Sequence, residues 1–201
     1  MEQLDYNLLY RWFVGLSPDD PVWDPTVFTK SGDRLQTGEV FSRFMSKLLN
    51  HPQVRPLMSD EHFSVDGTLI EAWASQKSFR PKDGSGDDDG GANFHGQKRK
   101  NDTHASTTDS DSRLYRKAAW REAKLSYMGH AVMENRHGLA VAGLVTLANG
   151  TAERRASETM LKAKAKQAGR RITVGEDKAY DTADHVANLR AINVTPHVTQ
   201  N

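Results

Sequence analysis

Apolar side chains recur at helical spacing along the first quarter of the chain. One stripe is formed by Leu4, Leu8, Leu9, Trp12, Phe13 and Leu16. Asp24-Pro25 places an N-cap residue before a proline, which favours the start of a short second helix. A third helix is predicted from Thr37 to the residues before Pro52, with a second apolar face. We therefore expect a small N-terminal helical domain over about residues 1–58, with these stripes as its core.

From His62 onward the pattern changes to strands that alternate with helices. Strands are predicted over residues 62–74, 125–133, 139–147, 171–176 and 194–198, and helices over 151–168 and 181–192. The turn Asn135-Arg-His-Gly138 joins two of these strands as a hairpin. A strand–helix–strand crossover joins parallel strands, so the sheet should also contain a parallel pair. The predicted fold class is α/β (α+β), with a mixed sheet and flanking helices over residues 59–201.

The stretch from Lys77 to about Lys117 has almost no apolar content. Such a segment buries too little surface to offset the entropy lost on ordering. A structureless loop of this length inside a domain is usually functional or a linker. We predict a flexible insertion at about residues 77–117, mobile without its partner.

The composition is that of a polar globular protein, with 201 residues of which 37% are hydrophobic and 26% charged. The lack of cysteine excludes disulfides and thiolate metal sites, and the eight histidines show no pair at zinc-ligand spacing. The N-terminus lacks the basic start and apolar stretch of a signal peptide. No apolar run approaches the roughly 20 residues needed to span a bilayer. We expect a cytoplasmic protein with no membrane association.

Two aspartates carry the candidate chemistry. Asp66 lies in the apolar run from His62 to Ile70, and Asp177 closes the run that begins at Ile172. Neighbouring parallel strands run about 4.8 Å apart. Carboxylates at matched heights on such strands can share metal ions, the arrangement that nucleotidyl transfer uses. Carboxylate ligands favour a hard, oxygen-ligated cation such as Mg²⁺ or Mn²⁺.

Each aspartate also has an ordinary structural interpretation. Asp66-Gly67 between apolar residues is a strong hairpin-turn signal, whereas the apolar residues on both sides favour one strand buried on both faces. Asp177 fits a polar loop between strand and helix, or a ligand position at the C-terminal end of a parallel strand. Glu176 should point to the opposite side of the strand and is the weaker candidate ligand. The sequence leaves both alternatives open.

Charge is distributed unevenly although the net charge is only +1. Residues 56–97 hold eight acids against three bases, and residues 98–124 hold eight bases against four acids. An acidic region beside a basic tract suits an enzyme that grips a polyanion, and a solvated loop of mixed charge is the ordinary alternative. The candidate DNA-binding residues are Lys98, Arg99, Lys100, Arg113, Arg116, Lys117, Arg121 and Lys124.

Long strings of residues carry a family likeness. Among them are Val65-Asp-Gly-Thr-Leu-Ile-Glu-Ala-Trp-Ala-Ser75, Leu114-Tyr-Arg-Lys117, Glu122-Ala-Lys-Leu-Ser-Tyr-Met-Gly-His130 and Gly175-Glu-Asp-Lys-Ala-Tyr-Asp-Thr182. With these strings the chain resembles the DDE transposases of bacterial insertion sequences, in the five group of the IS-four superfamily. Trp120 stands where the resemblance leads us to expect a small residue.

The resemblance implies an RNase H-like core with Asp66 and Asp177 as its first and second catalytic aspartates. It implies metal-dependent cleavage and strand transfer at the terminal inverted repeats of an insertion sequence, by a homo-oligomer when the enzyme is complete. The basic residues listed above would grip DNA ends. The family's third ligand, a glutamate on a later helix, has no counterpart before Asn201, so we expect a C-terminally truncated and inactive chain. A DNA-binding or inhibitory shortened transposase and a decayed gene product are the alternatives.

Overall fold

The chain folds into two units, Met1–Arg55 and Pro56–Asn201, in a computed structural model. The structure describes residues 2–36, 39–84, 99–117 and 120–200. Compared with the boundary after residue 58 that the sequence suggested, this division lies after Arg55. None of the helices within the described ranges is long and apolar enough to cross a membrane.

The N-terminal unit contains four helices, α1 Glu2–Tyr6, α2 Leu8–Val14, α3 Thr26–Gln36 and α4 Val40–Leu49. The first apolar stripe therefore spans two helices where the spacing predicted one. The interruption lies at Asn7, whose extended backbone and side chain cap α2, with the Leu9 N–H donating to Asn7 Oδ1 at 3.0 Å. The helix after Asp24-Pro25 forms as predicted. The helix before Pro52 begins at Val40, and its predicted start at Thr37 lies outside the described residues.

The predicted apolar core of this unit is wrong, because its stripes face solvent. Trp12 is 76% exposed and Phe13 80% exposed. Among the side chains of this unit that the structure describes, only Arg11 is buried. Its guanidinium donates to the carbonyl oxygens of Leu4 at 2.9 Å, Ser17 at 2.6 Å and Asp20 at 2.5 Å. The buried guanidinium thus holds the turn after α2 in place, whereas Trp12 and Phe13 are exposed.

The second unit is built on a six-stranded mixed sheet. Its elements are β1 His62–Glu71, β2 Phe79–Pro81, β3 His104–Ser106, β4 Arg113–Tyr115, β5 Lys124–Glu134, β6 Ala140–Leu147, α5 Ala152–Ala168, β7 Ile172–Glu176, α6 Ala183–Ala191 and β8 Val194–Val198. The sheet order is β4-β5-β1-β7-β8, and β6 also pairs with β5. β1 is antiparallel to β5, whereas β1–β7 and β7–β8 are parallel. The predicted mixed α/β architecture is confirmed and is consistent with an RNase H-like fold.

The core lies on one face of this sheet, under the two helices that flank it. Phe63 and Val65 of β1 pack there with Leu161 of α5 and with Ile172 and Val174 of β7. Burial of each such side chain contributes about 1.5–3 kcal/mol to the free energy of unfolding. The expectation that β1 is buried on both faces is wrong: buried and more accessible residues alternate from His62 to Thr68, as in a strand with one covered face.

The stretch predicted to lack structure, residues 77–117, contains three short strands within its described parts, 77–84 and 99–117. β2 and β3 pair with each other as a separate two-stranded sheet, and β4 joins the main sheet beside β5. Phe79 of β2 is buried, and Leu114 and Tyr115 of β4 are half-buried, so these short strands cover some of the few apolar side chains of the stretch. Residues 85–98 lie outside the described part of the chain, so the predicted mobility of the insertion stays a prediction.

A buried carboxylate holds the turn between β5 and β6. Glu134 accepts hydrogen bonds from the backbone N–H groups of Ser59, Arg136, His137 and Leu139, at 3.0, 3.0, 2.8 and 3.1 Å. Burial alone would raise the pKa of Glu134, but these four donors outweigh it and lower the pKa to about 2. The ionised carboxylate therefore fixes the predicted hairpin.

Replacing Glu134 with glutamine should lower the free energy of unfolding by about 2 kcal/mol, because the backbone N–H donors then lose a charged hydrogen-bond acceptor. Because the pKa of Glu134 is depressed, its ionised carboxylate stabilises the fold fully at pH values above 4.5. This stabilisation is lost as the pH falls from 4.5 towards about 2. Urea denaturation at several pH values measures both effects. The control Glu122→Gln, at an exposed position, should change stability by less than about 0.5 kcal/mol.

Candidate active site

The parallel pairing of β1 with β7 places the two predicted aspartates level with each other. Ser64 pairs with Gly175, and Asp66 and Asp177 lie two residues further along the respective chains. Asp177 follows β7 with an extended backbone, φ −76° and ψ 173°, so the strand alternation continues to it. Asp66 and Asp177 are both exposed, whereas the intervening Val65 and Glu176 are both buried. The two carboxylates thus belong to the same, open face of the sheet.

The hydrogen bonds of the two aspartates resolve the alternatives left by the sequence. Asp66 lies inside β1 opposite Ala131, so it is a strand residue and no hairpin turn forms there. Its Oδ1 accepts from the Gly67 N–H at 2.7 Å. Asp177 Oδ1 accepts from the Ala179 N–H at 2.8 Å and caps a short 3-10 turn. Asp177 is therefore a capping residue and, in addition, the neighbour of Asp66 on the sheet.

A third carboxylate, Glu153, lies within electrostatic reach of this pair, which the sequence did not indicate. Burial raises the pKa of Glu153, Lys117 opposes this, and the charges of Asp177 and Asp66 raise it further. A Cβ added to Gly67 would lie 2.7 Å from Glu153 Oε1, so the glycine permits the close approach of α5 to β1. Only the tertiary fold brings this first-turn residue of α5 near Asp66.

Lys117 links the end of the insertion to the same region. Its Nζ donates to the Gly67 carbonyl oxygen at 2.5 Å and lies 3.7 Å from Glu153 Oε1. Lys117 was predicted to bind DNA, and in the structure its charge balances part of the charge of Glu153.

Tyr180 is a buried group of this region that sequence reasoning missed. It is 1% exposed, and its hydroxyl has no hydrogen-bond partner among the described residues. Burial raises the pKa of Tyr180, and the charges of Glu153, Glu176, Asp177 and Asp66 add to this effect. The unionised phenol therefore sits behind the acidic residues.

A buried charged network holds the end of β7 immediately before Asp177. Glu176 Oε1 accepts from Ser157 Oγ at 2.5 Å, and Glu176 Oε2 lies 3.0 Å from His185 Nε2. His185 Nδ1 lies 2.8 Å from Glu158 Oε1. Burial disfavours protonation of His185, but its hydrogen bonds to Glu176 and Glu158 and their charges outweigh it and raise the pKa. The network ties β7 to both α5 and α6.

The acidic pair fits a hard divalent cation in chemistry but supplies few ligands. Asp66 and Asp177 offer carboxylate oxygens, which Mg²⁺ and Mn²⁺ prefer. Within residues 2–36, 39–84, 99–117 and 120–200, however, no three His, Cys, Asp or Glu side chains are grouped so that they could hold a metal ion. The described residues therefore offer two adjacent ligands and no complete set.

The predicted DNA-binding residues are dispersed over the second unit. Arg99, Lys100 and Arg116 are exposed, whereas Arg113 donates to the carbonyl oxygen of Ser110 at 2.8 Å. Lys98 lies outside the described residues. The remaining three, Lys117, Arg121 and Lys124, line one groove.

Replacing His185 with glutamine should lower the free energy of unfolding by about 3 kcal/mol, because Glu176 is left buried without its cation. A raised histidine pKa contributes stability that is present below 6.5 and lost as the pH rises through the folded-state value. Wild-type stability should therefore fall as the pH rises above 6.5 and through the folded-state pKa of His185, and the fall should be smaller in the variant. Urea denaturation measures this, and equal pH profiles would contradict it.

Residues 1–34 match the family model described as "Transposase domain (DUF772)". No curated protein matches the chain. One solved structure that resembles it is titled "Cryo-EM structure of piggyBac transposase synaptic complex with hairpin DNA (SNHP)", with 14% sequence identity and a TM-score of 0.37. The likeness covers 70% of this chain and 23% of that chain, so this chain spans about a quarter of the length of that protein.

Proposed function

We propose that the chain is a transposase component that acts in DNA transposition through Asp66 and Asp177. The observation that carries the proposal is that each aspartate lies two residues beyond the Ser64–Gly175 pair of the parallel strands β1 and β7, with an exposed side chain. The transposase domain model at residues 1–34 supports it. The proposal includes the DDE type of chemistry at insertion-sequence ends, in keeping with the resemblance drawn from the sequence.

Asp66 and Asp177 would hold a divalent cation, Mg²⁺ or Mn²⁺. When bound, such an ion supplies an activated nucleophile and stabilises the leaving oxygen of a phosphodiester. The role of the chain is to fix the ligands. Asp66 is held inside β1, and Asp177 is held by the Ala179 N–H and by the Glu176–His185 contact behind it.

The pair needs a further acidic ligand for strand cleavage and strand transfer. Two carboxylates supply too few ligands to fix two ions, and the described residues contain no metal-binding group of three. We therefore propose that the chain as given cleaves DNA weakly or not at all, and that a complete enzyme acts as a homo-oligomer.

The partners in this proposal are terminal inverted repeats and target DNA. Arg99, Lys100 and Arg116 are exposed candidates for phosphate contacts. Lysine and arginine contacts to phosphate release counterions, which makes binding dependent on salt.

The incomplete ligand set favours a second candidate function. A chain that binds insertion-sequence ends without cutting them would compete with an intact transposase for the same DNA. DNA binding without metal-dependent cleavage is the result that this alternative requires.

Metal binding should disappear when either aspartate is replaced by asparagine. At a Mg²⁺ or Mn²⁺ concentration about tenfold above Kd, the wild type should gain about 1.4 kcal/mol of stability, and Asp66→Asn and Asp177→Asn should gain almost none. Asparagine keeps a side-chain oxygen for the Ala179 N–H, so the turn is preserved. Thermal denaturation with and without the ion measures the gain.

Asp184→Asn, which changes an exposed acid in the first turn of α6, is the matched control and should respond like the wild type. If the ion stabilised all four proteins equally, Asp66 and Asp177 would not be the metal site. Metal-dependent cleavage of end-repeat DNA by the wild-type chain would contradict the need for a further ligand.

Removing Arg99 and Lys100 together should weaken binding to duplex end-repeat DNA. Loss of two phosphate contacts should reduce the slope of log K against log salt by about 1.8. Fluorescence anisotropy over a salt series measures the slope. The control replaces two exposed lysines of α5, Lys162 and Lys166, and an equal effect there would mean that the attraction is unspecific.

A further inference from the structure

A half-open groove lies beside the part of β1 that follows Asp66. Its volume is about 740 Å³, and its lining includes Thr68, Tyr115, Lys117 and Trp120. Lys117 connects the groove to the strand, because its Nζ donates to the Gly67 carbonyl oxygen. This volume lies in the range of small-ligand sites, which suits one or two nucleotides.

The aromatic wall of the groove is open to solvent. The Trp120 side chain is 79% exposed, and the guanidinium carbon of Arg121 lies 4.7 Å from the centroid of its ring. Nucleobases stack on exposed aromatic rings with about 1–3 kcal/mol per base and without sequence preference, and arginine adds a cation–π contribution. An exposed indole with an adjacent guanidinium thus matches the two parts of a nucleotide, its base and its phosphate.

The charges of the groove favour binding of a nucleotide by base stacking over binding by electrostatic attraction alone. Lys124 Nζ lies 2.5 Å from Glu71 Oε1, and Lys117 Nζ lies 3.7 Å from Glu153 Oε1. Both lysines are therefore already balanced by carboxylates, which weakens their attraction for a duplex backbone. Arg121 is the lining cation whose contact is with the indole, so it can hold a phosphate while the base stacks beside it.

We propose that this groove binds an unpaired nucleotide of DNA, with its base stacked on Trp120 and its phosphate held by Arg121. The inference rests on the proposed function, which makes DNA the partner of the chain. It adds a recognition site for single-stranded DNA that is separate from the acidic pair and from Arg99, Lys100 and Arg116.

Replacing Trp120 with alanine should weaken binding of an oligothymidine of about 8 nucleotides by about 5- to 150-fold. The salt dependence should not change, because no charge is removed. Trp120→Phe should retain most of the affinity, since it keeps an aromatic face. Fluorescence anisotropy with labelled oligothymidine measures these affinities, and a blunt duplex is measured in parallel.

Trp73→Ala is the matched control, because Trp73 is 98% exposed and does not occur among the described residues that line the groove. It should bind oligothymidine like the wild type. If wild type and Trp120→Ala bound oligothymidine with equal affinity, the proposed nucleotide site in the groove would be wrong. Binding of the wild type to the duplex would in that case still support the proposed function. A wild type that binds neither DNA at low salt would instead remove the proposed function, and the groove with it.

Discussion

The parallel pairing of β1 with β7 is the constraint on which the candidate site depends. Three residue pairs, from His62–Thr173 to Ser64–Gly175, set the register, and a slip of one residue would move every side chain of one strand to the other face. Phe63, Val174 and their neighbours bury the covered face, so such a slip would expose the core. The apolar face therefore holds the register that brings Asp66 and Asp177 to the same height.

Buried polar groups reinforce this arrangement where the apolar core ends. Glu134 fixes the β5–β6 turn through backbone donors, and the Glu176–His185 contact fixes the end of β7. Each network is costly to bury unless all its members are paired. Both therefore select one conformation of the segment that they hold, and Asp177 follows directly after one of them.

The sequence predicted what depends on local periodicity. The longer strands of the second unit, its two helices and the shared face of Asp66 and Asp177 follow from patterns along short segments, whereas the short strands β2, β3 and β4 do not. The approach of Glu153 to Gly67 and the pairing of Glu176 with His185 join separate elements, and no spacing indicates them. In the N-terminal unit, periodicity predicted the helices but not the exposure of their stripes, because burial depends on a covering surface that a single helix does not specify.

The position of Asp66 inside β1 has a consequence for reaction energetics. β1 is a central strand that pairs with β7 over residues 62–64 and with β5 over residues 63–71, the range that includes Asp66, and backbone in such a ladder opens only in large-scale unfolding. A charge carried by such a strand cannot relax away when another charge develops beside it. Stabilisation by a preorganised group costs no rearrangement at the moment of bond breaking, and in the proposed function the central strand would supply that preorganisation.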